Sequence, residues 1–523
     1  MLDYLIKDGD VIDGSGSAPV TLNVGIEGDR IRYVGRAHKD ARHVIDAGGF
    51  AVSPGFIDTH AHSEFTILAD GRAEGKLSQA VTTEINGNCG LSAAPLLAEA
   101  FERREADRRE VGIHESWNTF DEYFNLISRN GIAVNYATLC GHGNLRASVV
   151  GYGDGPPSES EMAEMKKLLA DALRAGAKGL STGLIYPPGV YSTSDEIIEL
   201  AKVAAVERPG ALYASHMRSE GDALEESIEE TLRIGAAAGL PVHVSHIKTS
   251  GERNWHKIDS VIGMIEKARA EGFQVTCDRY PYIASSTDLD TVFPSWVYVG
   301  GVREELKRLK DPETWAKIRS ELGGCTDEYW KGIYISSVSA TGNKWMEGEN
   351  VFDIAARMHL HPADAVLNIT LAEEARAGAI FFSMCEENLR RFLSLSYTMI
   401  GSDSSVRSFS GPTCAGKPHP RGFGSFARFI GKYARDEGVV TLPDAVRRLT
   451  SLPAAIFGIG QRGLIKEGYY ADIAVFNYQT MEDTATFKDP YKVARGVEHV
   501  FVNGRLAFSG GSFSRERAGR VLR

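Results

Sequence analysis

Six side chains scattered along the sequence have the chemistry of a divalent-metal site. His60 and His62 stand two apart in "GFIDTHAH". Cys89 sits between glycines in "INGNCG". His216 and His246 occur in "LYASHMR" and "VHVSHIK", and Asp403 in "YTMIGSDS". Imidazole, thiolate and carboxylate together suit Zn2+, which takes such ligands at about 2.0–2.3 Å. His60 and His62 lie on the same side of an extended segment and can share one ion. Taken singly, a histidine on an apolar strand is usually a hydrogen-bonded core group, and a lone cysteine a small hydrophobe. A metal site therefore requires a scaffold that brings all six together.

The sequence between residues 55 and 454 supplies such a scaffold. Eight short apolar segments read as strands: "GFIDTHAH", "TTEINGNCG", "VNYATLCGHG", "GLSTGLIY", "LYASHMR", "VHVSHIK", "FQVTCDRYPY" and "YTMIGSDS". Helical patterns separate several of them. In "PSESEMAEMKKLLADALRAG", Ser158 and Glu161 form a capping box, Met162, Met165, Leu168, Leu169 and Leu173 one apolar stripe, and Gly176 the stop. "DALEESIEETLRIGAAAG" reads alike, with Asp222 and Glu225 at its start and Gly239 at its end. Regular alternation giving eight strands predicts a (β/α)8 barrel, with a doubly wound open sheet as the alternative. The C-terminal ends of barrel strands converge on one face, and all six candidates fall at such ends. His243, three residues before His246, is expected to face the helix layer. His38, His43, His114, His256, His359, His361 and His499 fall elsewhere, in loops, helices or terminal strands.

Both termini read as strands. "YLIKDGDVIDGSG", "LNVGIEGDRIRYVG", "ADIAVFN" and "VEHVFVNGRLAFSGG" alternate apolar and polar residues, with Asn503-Gly504 a strong hairpin turn. They predict a small β-sandwich domain built from residues 1–54 and 455–523, flanking a barrel of residues 55–454. The connection between the seventh and eighth strands is far longer than one helix requires. An inserted subdomain is expected at residues 288–345, where Trp296, Trp315, Trp330 and Trp345 concentrate. It reads both as a packed unit and as a lid over the site.

The 523 residues exceed one hydrophobic core, and a net charge of −11 argues against nucleic-acid or anionic-membrane partners. No apolar run is long enough for a transmembrane helix, and the N-terminus lacks a secretion-signal pattern. Six dispersed cysteines, at 89, 140, 277, 325, 385 and 414, fit a reducing compartment, so a cytoplasmic location is expected.

"VSPGFIDTHAH", the two later histidines and "IGSDS" together resemble the amidohydrolase superfamily, from "VIDGSG" to "LPAAIFGIGQRGLIKEGYYADIAVFN". Many members bridge two metals with a carbamylated lysine on the fourth strand. Here that strand offers none, since Lys178 precedes it. "GNCG", "STGLIYPPG", "SHIKTSG", "DRYPYIASST" and "KPHPRGFGSF" instead resemble the D-aminoacylase branch, the N-acyl-D-amino-acid deacylases. The resemblance implies zinc-dependent hydrolysis of an N-acyl-D-amino acid to a carboxylic acid and a free D-amino acid. It assigns one tightly bound Zn2+ to Cys89, His216 and His246, and a second, weaker position to His60, His62 and Asp403. Asp403 then acts as general base and acid. Lys248, on the side of its strand that carries His246, joins Arg421 and Tyr282 (or its neighbour Tyr280) in binding the α-carboxylate. Tyr191 and Tyr186 are assigned to the oxyanion or the acyl pocket. His142 and Asn144 end a strand with either a structural or a site role.

The chain departs from the branch after Asp403, in "SSVRSFSGPTCAGKPHPR", where Arg407 or Phe409 is placed to shape the side-chain pocket. Two other readings stand beside the deacylase: a cyclic-amide hydrolase of the dihydroorotase or hydantoinase type, disfavoured by the missing lysine, and a non-catalytic metal-binding relative. The expected partner is a small N-acyl amino acid, with monomer and homo-oligomer both open.

Overall fold

The structure is a computed structural model describing residues 1–523, apart from the side chains of Ala106, Asp107 and Glu110. All eight expected barrel strands form: Phe56–Asp58, Val81–Asn86, Asn135–Thr138, Gly179–Gly183, Leu212–His216, Val242–Val244, Val275–Arg279 and Thr398–Ile400. The third continues past Leu139 as Cys140–Gly141. The first three pair in parallel, as do Cys140–Gly141 and the last five. Two contacts close the cylinder. The Thr59 N–H donates to the Ile400 carbonyl at 3.4 Å, and the Asp403 N–H to the His60 carbonyl at 2.7 Å. The second, fourth, fifth and seventh strands are buried along their whole length. Although covered on both faces, they carry buried polar residues, among them Thr82, Glu84, Ser181, Thr182 and Asp278. Ile57, Ile85, Leu139, Leu212 and Met399 fill the interior with Phe457. The barrel is therefore a packed support for the loops at its mouth.

Local signals set the outer helices. Glu159–Ala175 begins with the expected capping box of Ser158 and Glu161. Leu224–Ala238 ends at Gly239 in left-handed backbone, as its sequence predicts, but starts otherwise. Its cap position is Ala223 and receives no side-chain bond, because Asp222 turns outward to Arg253 and Asn254.

After the seventh strand, Ala284–Asp288 opens a separate antiparallel sheet with Gly378–Phe382 and Ile333–Ser337. A second core fills this inserted unit from Leu289 to Ala379, so it extends well past residue 345. Trp330 is central to that core, while Trp296, Trp315 and Trp345 lie at its margin. The tryptophans are thus packing groups.

The two chain ends form one nine-stranded sheet. Ala51–Pro54 joins them by pairing antiparallel with Ile473–Phe476. Val502 pairs with Arg505 across Asn503 and Gly504, both at positive φ, 47° and 76°. These values suit the tight turn whose twist matches a hairpin. Among the described residues, no helix is long and apolar enough to cross a membrane.

Candidate metal centre

Cys89, His246 and Asp403 all adopt left-handed backbone, with φ of 53°, 35° and 49°. Such conformations cost on the order of 1–3 kcal/mol each and persist where surrounding structure enforces them. At Cys89 the enforcement is close packing. A Cβ added at Gly183 would overlap the Cys89 carbonyl, and one at Gly141 the Gly90 carbonyl. Each of the three follows its strand end, so strand alternation no longer determines where it points. This corrects the reading of His243. Instead of facing the helices, it is fully buried against Phe457, with Nε2 2.7 Å from Asp278 Oδ2 and Nδ1 2.9 Å from Thr276 Oγ1.

The six expected ligands converge. Cys89 Sγ lies 3.2 Å from His60 Nε2 and 3.4 Å from His246 Nε2, and the His216 and His246 rings are 4.3 Å apart. Asp403 Oδ1 is 3.2 Å from His62 Nε2 and 3.6 Å from His60 Nε2. Donor atoms in His60–Cys89–His246, His60–His62–Asp403 and His216–Glu220–His246 each fall within 4.8 Å of one another. His216 is buried, and among the described residues neither ring nitrogen makes a conventional hydrogen bond, although Nε2 lies 3.8 Å from Glu220 Oε2. An imidazole without a conventional hydrogen bond, beside a thiolate and a second imidazole, is the donor arrangement a metal satisfies. Burial pushes the Cys89 thiol up, but His60, His246 and His216 outweigh it and hold it well below its ordinary range. The residues present therefore fit zinc.

A surrounding layer, largely unread in the sequence, fixes these side chains. Asp278 Oδ2 accepts from His60 Nδ1 at 3.0 Å, and Oδ1 accepts the His246 N–H at 2.7 Å. This leaves His60 Nε2 facing the cysteine. Burial raises the Asp278 carboxyl, yet His60 and His243 hold it far below the usual range. Beneath it, Asp58 accepts from Lys76 Nζ at 2.5 Å and from the Ser402 N–H at 2.8 Å, while Lys76 also meets Glu84 at 2.9 Å. His142 pairs with Glu196 at 2.8 Å, and Asn144 clasps Ser92 through bonds of 2.9 and 2.8 Å. Asn144 thus braces the loop that follows Cys89.

His62, Cys89, His246 and Asp403 line a cavity of about 680 Å³, together with Arg421, Tyr186 and part of the inserted unit. Arg421 Nη1 meets Asp403 Oδ2 at 2.8 Å, and Nη2 donates to the Ser286 carbonyl at 3.2 Å. His419, overlooked in the sequence, accepts the Arg421 N–H at 3.0 Å and holds that loop against Ala284. Lys248, expected at the site, is buried behind the cavity lining and paired with Glu220, which also lies 2.9 Å from His246 Nδ1. Two tyrosines fall away from the expected place. Tyr282 gives its hydroxyl to Asp483 at 3.1 Å and does not line the cavity, because the chain turns after the strand and the Tyr282 N–H returns to the Tyr280 carbonyl. Tyr280 instead lies under Arg421, 4.5 Å from ring centroid to guanidinium. Tyr191 meets the Ser295 carbonyl at 3.5 Å, while Tyr186 packs on His216 with its hydroxyl 3.1 Å from Thr287 Oγ1. Arg407 lines the cavity, whereas Phe409 packs against Phe423 and Phe513.

The Amidohydrolase family model matches residues 43–290 and 399–508, interrupted across most of the inserted unit. D-aminoacylase of Alcaligenes xylosoxydans xylosoxydans is 36% identical over 521 residues, covering 99% of this chain and 97% of the relative. N-acyl-D-glutamate deacylase of the same organism is 36% identical over 526 residues, covering 100% of this chain and 96% of the relative. The crystal structure of N-acyl-D-glutamate deacylase from Bordetella bronchiseptica, complexed with zinc and a phosphonate inhibitor, matches with a TM-score of 0.85 at 34% identity, over 100% of this chain and 99% of that one. A match of this extent, over the strands that carry the metal cluster and both chain ends, places the chain in the amidohydrolase family.

Proposed function

We propose that the protein uses zinc to hydrolyse N-acyl-D-amino acids, releasing a carboxylic acid and a free D-amino acid. The observation that carries this reading is Cys89 held between His60 and His246, with Asp403 joining that cluster to Arg421. The likeness to relatives named for this reaction supports the substrate class and its handedness. Cys89, His216 and His246 would hold one zinc tightly, and His60, His62 and Asp403 a second, weaker one. When bound, zinc supplies a Lewis acid that polarises the scissile carbonyl and makes attacking water more acidic.

The chain's own groups perform the proton work. Burial raises Asp403, but Arg421, His62 and the other histidines hold it well below the usual carboxylate range, so it is ionised at neutral pH. It accepts a proton from the attacking water and delivers it to the departing nitrogen, which cannot leave as an anion. Arg421 links recognition to this transfer. A substrate α-carboxylate that engages the guanidinium draws away the cation holding Asp403 down, and raises the base's proton affinity as substrate binds. Tyr280, stacked under Arg421, and Lys248, paired with Glu220, support the same carboxylate site from behind the cavity wall, and Tyr186 faces the developing oxyanion. The barrel is the catalytic unit, braced by the terminal sheet and walled by the insertion, in a cytoplasmic protein.

A panel of N-acetyl-D- and L-amino acids beside cyclic ureides, with zinc analysis of the same preparation, tests the reading. Turnover of linear D-substrates by a zinc-containing protein is expected. Turnover confined to ureides or to L-substrates would overturn it.

A further inference from the structure

The cavity reaches beyond the metal cluster to a wall built by the inserted unit. Asp288, Asp290 and Glu305 line that wall. Glu305, in the first turn of the helix Val302–Lys310, is only 2% exposed, and its Oε1 has no hydrogen-bond partner. Asp290 lies within hydrogen-bonding reach of it. Two aromatic side chains, Phe293 and Tyr298, border the same wall. Arg103 and Arg104 also line the cavity, so three carboxylates face two guanidiniums. A buried carboxylate oxygen without a donor is costly, and a cation entering from the cavity would remove that cost. Aromatic faces beside carboxylates suit an ammonium or guanidinium group.

Resting on the deacylase reading above, we propose that this wall takes a cationic group of the substrate, making N-acyl-D-amino acids with basic side chains preferred substrates. The spacing favours the side chain as its source. The Ser286 carbonyl accepts from Arg421, the expected α-carboxylate partner, and Asp288 stands two residues further along the same strand. That separation is about 7 Å, comparable with an extended lysine side chain. In the free protein, burial and mutual repulsion push Asp290 well above the usual carboxylate range, and burial above all brings Glu305 up to about 7. Arg103 opposes both shifts, yet burial and the neighbouring carboxylates outweigh it.

The test compares kcat/KM for Nα-acetyl-D-arginine with its neutral isostere Nα-acetyl-D-citrulline, and glycyl-D-leucine with N-acetyl-D-leucine. The arginine-to-citrulline ratio should be about tenfold or more, and should fall to about 1–2 in Glu305→Gln and in Asp290→Asn. The ratio cancels any general loss of activity in a variant, and the unmodified enzyme alone decides the first comparison. Preference for glycyl-D-leucine instead would support the cation site and place it on the acyl side. Turnover of N-acetyl-D-leucine with no cation preference in either pair overturns this proposal and leaves the deacylase reading standing. Absence of turnover for every N-acyl-D-amino acid overturns both.

Discussion

Asp278→Asn probes the layer behind the metal ligands. One carboxylate accepts from His60 Nδ1 at 3.0 Å, from His243 Nε2 at 2.7 Å and from the His246 N–H at 2.7 Å. All three partners donate, and asparagine has only one accepting oxygen. At least one donor would then meet an N–H group, and the charge that steadies His60 would be gone. Partners of this kind are worth about tenfold to a hundredfold in metal affinity, or about 1.4–2.7 kcal/mol. A charge-assisted hydrogen bond, at about 1.5–3 kcal/mol, gives the same range independently. The assay is zinc competition against a chelator of known affinity, with kcat/KM measured at saturating zinc. Asp222→Asn, at the outward-turned Arg253 pair, serves as control and should change neither quantity. Zinc affinity within twofold of the unmodified protein would show that Asp278 does not position the ligands, and the reasoning would fail.

Asp403→Asn should lower kcat by about 10²- to 10⁴-fold while zinc at the Cys89 position stays nearly intact; retained turnover would remove the proton-transfer role. Arg421→Lys should raise KM for N-acyl-D-amino acids by about tenfold or more and leave their carboxamides less affected, since lysine cannot form the fork. Tyr280→Phe should raise KM for the same substrates more than Tyr282→Phe does, because only Tyr280 lies under Arg421; the reverse order in steady-state kinetics would contradict this placement. Lys76→Met would leave Asp58 and Glu84 buried without their cation, and should cost about 3–5 kcal/mol in denaturant unfolding.

The strands were legible from their regular alternation with helices whose caps and apolar stripes are plain, such as Glu159–Ala175, more than from their own residues, many of which are polar. The ligand types were legible for another reason. Histidine, cysteine and aspartate at strand ends stand out against the aliphatic residues that fill the barrel. Part of the supporting layer was obscured by the backbone at those same ends. The left-handed turn at His246 breaks the alternation that a parity argument needs, so His243 faces the interior and not the helices, whereas Asp278 sits within a regular strand where a buried carboxylate carries no local signal. Glu220 lies in an irregular loop four residues after His216, where no period marks it. Tyr280 and Tyr282 differ only through a turn that strand geometry does not describe. The length of the insertion was hidden because its helices carry the same apolar periodicity as those of a barrel, and only its separate core reveals its extent.

Zinc-edge X-ray absorption of the purified protein, alongside Cys89→Ala, tests the sulfur ligand most directly. One sulfur at about 2.3 Å within a shell of nitrogen and oxygen at about 2.0 Å is expected, with the sulfur and most of the bound zinc lost in the variant. A shell of nitrogen and oxygen alone, unchanged when Cys89 is replaced, would contradict the account.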